Sequence, residues 1–275
     1  MANNEIEKIE IDCLIEVVYR FSGYDFRNYS PSYLSRRVKN LCIKEKTETI
    51  SCLQDKVLRD TACMERFLNA ITIGVTDMFR DPNFFLTFRK KVVPYLRTYP
   101  FIHIWSTACC TGEEAYSLAI LLSEEGLYDK CRIYATDINN MFLQKAIKSI
   151  YPASAIPRYN KNYIEAGGKG SLSDYYTESY GNILFHSSLK QNIVFAQYNL
   201  VTDASFNEFH IILCRNILIY FNKQLQDRVH NLIHESLIIS GMLCLGKNES
   251  IVFSPYEKDY AVLSKTEKIY QKIGS

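Results

Sequence analysis

Residues 101–117, FIHIWSTACCTGEEAYS, constrain this chain more than any other stretch. Ile102, Ile104 and Trp105 form an apolar, β-rich run that feeds a loop of small residues. The loop closes on Gly112-Glu113-Glu114, and Ala115, Leu118, Ala119, Leu121 and Leu122 begin a helical period at once. Strand, small-residue turn and helix are the parts from which an open α/β sheet builds a nucleotide-sized site at its strand ends. A helix N-terminus behind a glycine loop normally suits phosphate. Two carboxylates at that place repel a pyrophosphate and suit a ligand with hydroxyls and a positive charge. The loop has one glycine where G-x-G-x-x-G needs three, and it lacks the G-K-[ST] ending of a phosphate-binding loop.

From about residue 100, strand patterns alternate with helical ones. Strands are expected at 101–107, 131–136, 193–198, 209–214, 242–246 and 267–273, with helices at 114–125, 139–148 and 222–239. This order predicts a mostly parallel sheet covered on both faces. Residues 150–190 break the alternation with prolines, glycines and many tyrosines, and read as an inserted small subdomain. Tyrosine is abundant at 20 residues, a number that no pattern in the sequence accounts for.

Residues 1–80 read as helical. Ile9, Leu14, Ile15, Val17, Val18 and Phe21 recur at helical spacing until Gly23, and Ser30-Pro31 looks like an N-cap followed by a proline in the first turn. The next helix turns Leu34, Val38 and Leu41 inward and Arg36, Arg37 and Lys39 outward. Residues 27–46 hold six basic residues against one acidic residue, a local charge of +5. As a bare pattern this is either a solvated helix face or a docking surface for an acidic partner.

Other clusters add chemistry. Asp137 follows the strand CRIYAT, placed either to accept ribose hydroxyls or to cap the helix that starts at Ile138. Arg215 and Asn216 end the strand FHIILC, and Tyr220 follows them. Thr76 and Arg80 are four apart, so a helix there would put them on one face. His230 and His234 share a helical spacing, but no third metal ligand has the right position and H-E-x-x-H is absent. No G-x-S-x-G occurs. The overall charge of +2 gives no reason to expect nucleic acid, no apolar run is long enough for membrane insertion, and the N-terminus lacks a signal-peptide layout. Nine scattered cysteines without C-x-x-C read as mostly reduced core residues of a cytoplasmic protein.

Taken in register, GYDFRNYSPSYLSRRV (23–38), ITIGVTDMFRDPNFF (71–85), IWSTACCTGEEAYSLAI (104–120), ATDINNMFLQKA (135–146), FAQYNL (195–200), ILCRNILIYF (212–221) and GMLCLGKNES (241–250) resemble the CheR-type chemotaxis receptor methyltransferases. The resemblance runs over nearly the whole chain. It implies a Rossmann-like class I methyltransferase sheet that uses S-adenosyl-L-methionine (SAM), over residues 81–275. It also implies an N-terminal all-helical receptor-docking domain with linker over residues 1–80, and a small inserted β-subdomain over 150–195, which in some members tethers the receptor. The implied reaction moves a methyl group from SAM to glutamate side chains of a chemoreceptor's cytoplasmic helical bundle. It leaves γ-glutamyl methyl esters and S-adenosyl-L-homocysteine (SAH). By similarity, Thr76, Arg80, Glu113, Asp137, Asn199, Leu200, Arg215 and Asn216 hold the cofactor, and Arg80 and Tyr220 serve the reacting centre. Arg36, Arg37 and Lys39 then acquire a partner in the Glu-rich receptor bundle. A catalytically silent SAM- or SAH-binding module of the same fold is the alternative. The chain departs from the family pattern at Gly74, often asparagine, at Ala115, usually proline, and at Cys110, usually serine.

Overall fold

The computed structural model describes residues 2–72, 74 and 76–274. The chain divides into two compact units, one of residues 1–73 with 220–229 and one of residues 74–219 with 230–275.

The first unit carries the helices α1 (Ala2–Ser22), α2 (Pro31–Glu45), α3 (Ile50–Arg59) and α4 (Thr61–Ile71). Leu14, Val18, Val38, Leu53, Phe67 and Ile71 are fully buried in its core. α1 stops where expected: Gly23 takes φ +78° and its N–H bonds the Tyr19 carbonyl at 2.8 Å. Ser30 occupies the cap position of α2 without capping it, because its hydroxyl pairs with that of Ser32 at 3.0 Å. The side-chain caps are Thr49, accepting from Cys52 N–H, and Asp60, accepting from Ala62 N–H. A cap contributes about 1 kcal/mol. Each fully buried aliphatic or aromatic side chain contributes about 1.5–3 kcal/mol. Packing therefore holds this bundle, and the idle Ser30 costs it little.

The second unit begins with an irregular segment. Its helices α5 (Pro82–Thr87) and α6 (Val93–Leu96) join through a π-helical turn at Phe88–Val92, where Pro94 offers no N–H to a regular ladder. Then follow β1 (Ile102–Ser106), α7 (Glu113–Glu124), β2 (Cys131–Asp137) and α8 (Asn140–Lys148). The excursion β3 (Ile150–Pro152), α9 (Ile156–Glu165), β4 (Tyr176–Ser179) and β5 (Asn182–Phe185) comes next. The chain closes with β6 (Ile193–Gln197), β7 (Phe209–Cys214), α10 (Lys223–Ser236), β8 (Leu237–Leu245), β9 (Tyr260–Ser264) and β10 (Ile269–Lys272).

Seven strands form one sheet in the order β6-β2-β1-β7-β8-β10-β9. The pairs β2–β6, β1–β2, β1–β7 and β7–β8 are parallel, and β8–β10 and β10–β9 are antiparallel. This is the mostly parallel, Rossmann-like arrangement expected. Its strands read as near-continuous apolar runs because helices cover them. Ile102, Ile104 and Trp105 of β1 are fully buried. The Trp105 ring lies on Phe209 at 5.1 Å and its indole N–H donates to the Thr136 hydroxyl at 2.9 Å. The chain winds outward from β1 in two directions, so the switch point lies between β1 and β7.

Two boundaries differ from the sequence expectation. The helix expected to reach residue 239 ends at Ser236, and the strand expected from 242 starts at Leu237. LIISGMLCL is rich in β-branched and apolar residues, and a register shift against β7, between Phe209 and Ile211, absorbs its irregular middle. β9 has no counterpart among the expected strands. The segment around Arg80 is also irregular: residues 76–81 form no helix, and Phe79 and Asp81 take φ +50° and +60°. Thr76 and Arg80 therefore share no helix face.

The excursion holds a separate antiparallel sheet in the order β3-β5-β4. Tyr180 and Gly181 turn β4 into β5 with both φ values positive, as a tight hairpin requires. The many tyrosines gain an account here. Their rings pack in the core while their hydroxyls bridge distant segments, as Tyr116 to the Ala146 carbonyl (2.8 Å), Tyr151 to the Thr111 carbonyl (2.7 Å) and Tyr33 to the Ile71 carbonyl (2.7 Å). Six cysteines are buried, whereas Cys13 and Cys52 are exposed. No helix among the described residues is long and apolar enough to cross a membrane.

Candidate cofactor site at the strand ends

The carboxyl ends of β1, β2 and β7 meet at one loop, residues 107–112. Thr107 N–H bonds the Leu213 carbonyl of β7 at 3.0 Å, and Cys109 N–H bonds the Thr136 carbonyl of β2 at 2.9 Å. The turn then needs a glycine. Gly112 has φ +95°, and a Cβ on it would stand 2.8 Å from the Ala146 Cβ of α8. The helix α7 opens directly behind it with Glu113 and Glu114 in its first turn.

Asp137 ends β2 and is buried. Its Oδ2 accepts Cys110 N–H at 2.9 Å and its Oδ1 accepts Asn139 N–H at 2.8 Å. The cap of α8 is Asn139, which accepts Met141 N–H at 2.9 Å, so Asp137 is not that helix's cap. Burial lifts the Asp137 carboxyl to about 6, against the pull of these backbone N–H groups. A buried acid with spare lone pairs gains from hydroxyl donors of a ligand.

Glu113 is also buried. Its Oε2 accepts the Thr111 hydroxyl at 2.7 Å and its Oε1 accepts the Tyr159 hydroxyl at 3.3 Å. Burial raises its pKa, while these two donors act the other way. Asp77, which no sequence pattern singled out, adds a third carboxylate nearby in electrostatic terms. Its Oδ2 is bound by Arg158 Nε at 2.7 Å, and its buried Oδ1 has no hydrogen-bond partner among the described residues. Three acids, one with an orphaned oxygen, suit a ligand carrying hydroxyls and cationic groups. Among the described residues no group of three His, Cys, Asp or Glu side chains is arranged for a metal ion.

Arg215 has a different surrounding from an open cleft. Its side chain is 2% exposed. Its guanidinium binds Asp81 Oδ2 at 2.8 Å, the Arg80 carbonyl at 3.1 Å and Glu114 Oε2 at 3.0 Å, and lies over the Phe84 ring at 4.0 Å. A guanidinium that deep requires such partners. It fastens the β7 end to α7 and to the segment bearing Arg80. Asn216, at φ +62°, sits in a turn organised by Glu249, a buried residue that motif reading passed over. Glu249 Oε2 accepts N–H groups of Gly246 (2.7 Å) and Asn216 (2.8 Å), and its Oε1 accepts those of Leu218 (2.7 Å) and Ile219 (3.4 Å). The signal was the glycine and glutamate of GKNE, three residues apart.

Asn199 caps its own turn, accepting Val201 N–H at 2.9 Å, and Leu200 is buried beside it. Thr76 and Arg80 are half-buried. Gly74 is exposed but lies close to Phe142 of α8: a Cβ there would come within 2.9 Å of the Phe142 ring, so an asparagine requires the ring to shift.

The remaining expected residues lie in the helical unit. Tyr220 packs its ring 4.7 Å from Tyr33, and its carbonyl accepts Ser30 N–H at 2.8 Å. Arg36 is exposed, Arg37 is half-buried with its guanidinium 5.2 Å from the Tyr33 ring centroid, and Lys39 is paired with Glu7 at 2.8 Å.

Residues 74–269 match the protein family described as CheR methyltransferase, SAM binding domain, and residues 9–72 match the one described as CheR methyltransferase, all-alpha domain. A Pseudomonas putida protein, provisionally named methyltransferase Cher3, is 46% identical over 272 residues, covering 99% of this chain and 100% of its own. The chemotaxis protein methyltransferase of Listeria monocytogenes is 28% identical, with 90% of this chain and 92% of its own covered. Chemotaxis protein methyltransferase 2 of Pseudomonas aeruginosa is 29% identical, with 88% and 86% covered. The chain also aligns, at 26% identity and over 94% of its length, with 27% of a 104.1 kDa protein of Rhodobacter capsulatus.

Proposed function

Because this chain belongs to the CheR methyltransferase family and is a SAM-dependent methyltransferase, we propose that it methylates glutamate side chains of chemoreceptors in chemotaxis. The observation that carries the reading is the joint anchoring of two buried acids on one loop. Cys110 N–H holds Asp137 and the hydroxyl of Thr111, the next residue of the loop, holds Glu113.

The residues present fit the cofactor. Asp137 takes ribose hydroxyls, Glu113 and Asp77 face the cationic groups, and Asn199 and Leu200 flank the adenine. Thr76 and Arg80 close the side of the irregular segment, and Asn216 the side of β7. Arg215 acts through its hold on the Arg80 carbonyl and Asp81. Bound SAM supplies an electrophilic methyl group on a sulfonium centre. The acceptor glutamate is already ionised at neutral pH, so no strong general base is needed. The task left to the protein is orientation and exclusion of water. Arg80 orients the acceptor carboxylate, and must bind it weakly enough to leave it nucleophilic. The departures Gly74, Cys110 and Ala115 remove no charged residue from this set.

Arg36 and Arg37 of α2 dock the acidic receptor bundle. Lys39 contributes less, since Glu7 already neutralises it. The test uses a chemoreceptor cytoplasmic fragment and methyl-labelled SAM. Alkali-labile label, released as methanol, is expected on the fragment, and reversing Arg36 and Arg37 to Glu should cut it about tenfold with SAH affinity unchanged. Absence of alkali-labile label on any chemoreceptor fragment refutes the ester-forming reading. Undiminished labelling by the double variant refutes the docking role.

A further inference from the structure

Helix α9, in the inserted excursion, presents a stripe of side chains to the residues just described. Arg158 binds Asp77 at 2.7 Å, and Asn162 Nδ2 donates to the Met78 carbonyl at 2.9 Å. Tyr159 donates to Glu113, and the Tyr163 ring lies 5.4 Å from that of Phe79. Residues 158, 159, 162 and 163 fall together on a helix because neighbours recur at three and four positions. We propose that α9 is a positioning wall of the cofactor site, with Tyr159 holding the Glu113 carboxylate and Arg158 and Asn162 holding the Asp77–Met78 segment. The inference rests on the cofactor reading above. It gives the inserted segment a role in cofactor binding in addition to any role as a tether.

The chemistry favours Tyr159 as a donor. It is buried, and burial together with the Glu113 charge pushes its phenol up, so it keeps its proton. Glu113 is faced by Cys110 and Thr111 from the loop, Tyr116 from its own helix, Tyr151 from β3, Tyr159 from α9 and Asp77 with its partner Arg158. Burial pushes the Cys110, Tyr116 and Tyr151 groups up, which keeps them neutral. Burial and Asp77 favour the protonated form of Glu113, and only the Thr111 and Tyr159 hydroxyls and local backbone favour the ionised one. Removing the Tyr159 hydroxyl therefore raises the pH at which Glu113 ionises.

Tyr159→Phe keeps the ring and its packing. Calorimetric titration with SAH, repeated from about pH 5.5 to pH 8.5, should show an affinity about threefold to tenfold weaker, the range for one long charge-assisted hydrogen bond. The loss of affinity on the acid side should also set in at higher pH than in the wild type. A merely structural contact would leave that profile in place. Arg158→Gln, on a largely exposed side chain, should weaken SAH binding by a similar factor, and it decides the matter alone if Tyr159→Phe does not fold. Affinities within twofold of wild type and an unmoved pH profile overturn the inference. Wild-type protein that takes up no SAH overturns the cofactor reading and this inference together, a result distinct from unchanged variants.

Discussion

Replacing Glu249 by glutamine tests the least legible part of the site. The carboxylate is buried and collects four backbone N–H groups, from Gly246 and Asn216 on one oxygen and from Leu218 and Ile219 on the other. Glutamine keeps one acceptor oxygen and turns the other into a donor, so two N–H groups lose their partner and face an NH2. A hydrogen bond to a charged group is worth about 1.5–3 kcal/mol net, and an orphaned buried donor costs about 1–3 kcal/mol. Against this, the variant escapes the burial penalty that raises the Glu249 pKa. The balance is about 2–4 kcal/mol of lost stability. For a chain of this size that is a fall of about 5–15 °C in the unfolding midpoint. Urea and thermal unfolding of the full chain measure it, and SAH calorimetry on the folded variant should show weakened binding, because the Arg215-Asn216 turn relaxes. A loss below about 0.5 kcal/mol, with SAH affinity intact, means that the four N–H groups find other partners and the carboxylate does not organise the turn.

Two further outcomes follow from the same geometry. Burial lifts Asp137 from 3.8 to about 6, so the folded chain keeps a proton that the unfolded chain has already released. Stability therefore declines as pH rises from about 4 to about 6, by about 3 kcal/mol, and stays lower above that. Asp137→Asn should abolish this slope in urea midpoints while weakening SAH binding, and equal slopes in both proteins contradict the assigned burial cost. Gly112→Ala combines a strained φ of +95° with a Cβ 2.8 Å from Ala146, and should cost about 2–4 kcal/mol. An unchanged unfolding midpoint refutes that account of the loop.

Much of the architecture was readable in the chain because local chemistry specifies it. The run Ile102–Trp105, the single glycine and Glu113-Glu114 marked strand, turn and helix, and they stand so. The acid at the end of the second strand was legible for the same reason. Boundaries failed where two periods compete: LIIS continues the apolar rhythm of α10, yet it joins β8 because neighbouring strands offer it backbone partners. Thr76 and Arg80 looked like a helix pair, and Phe79 and Asp81 break that with positive φ values.

The sequence by itself determined most of the order of elements, though not β9, and it determined the glycine that the loop requires and the two acids behind it, since propensity, periodicity and turn sterics act between near neighbours. Only the tertiary structure decided that Arg215 is sealed between Asp81 and Glu114, that Glu249 gathers a distant turn, and that Tyr159 reaches Glu113 across 46 residues. Those roles depend on burial and on partners far away in the chain. Desolvation turns an ordinary charge or hydroxyl into a committed one only when the surrounding core has closed around it.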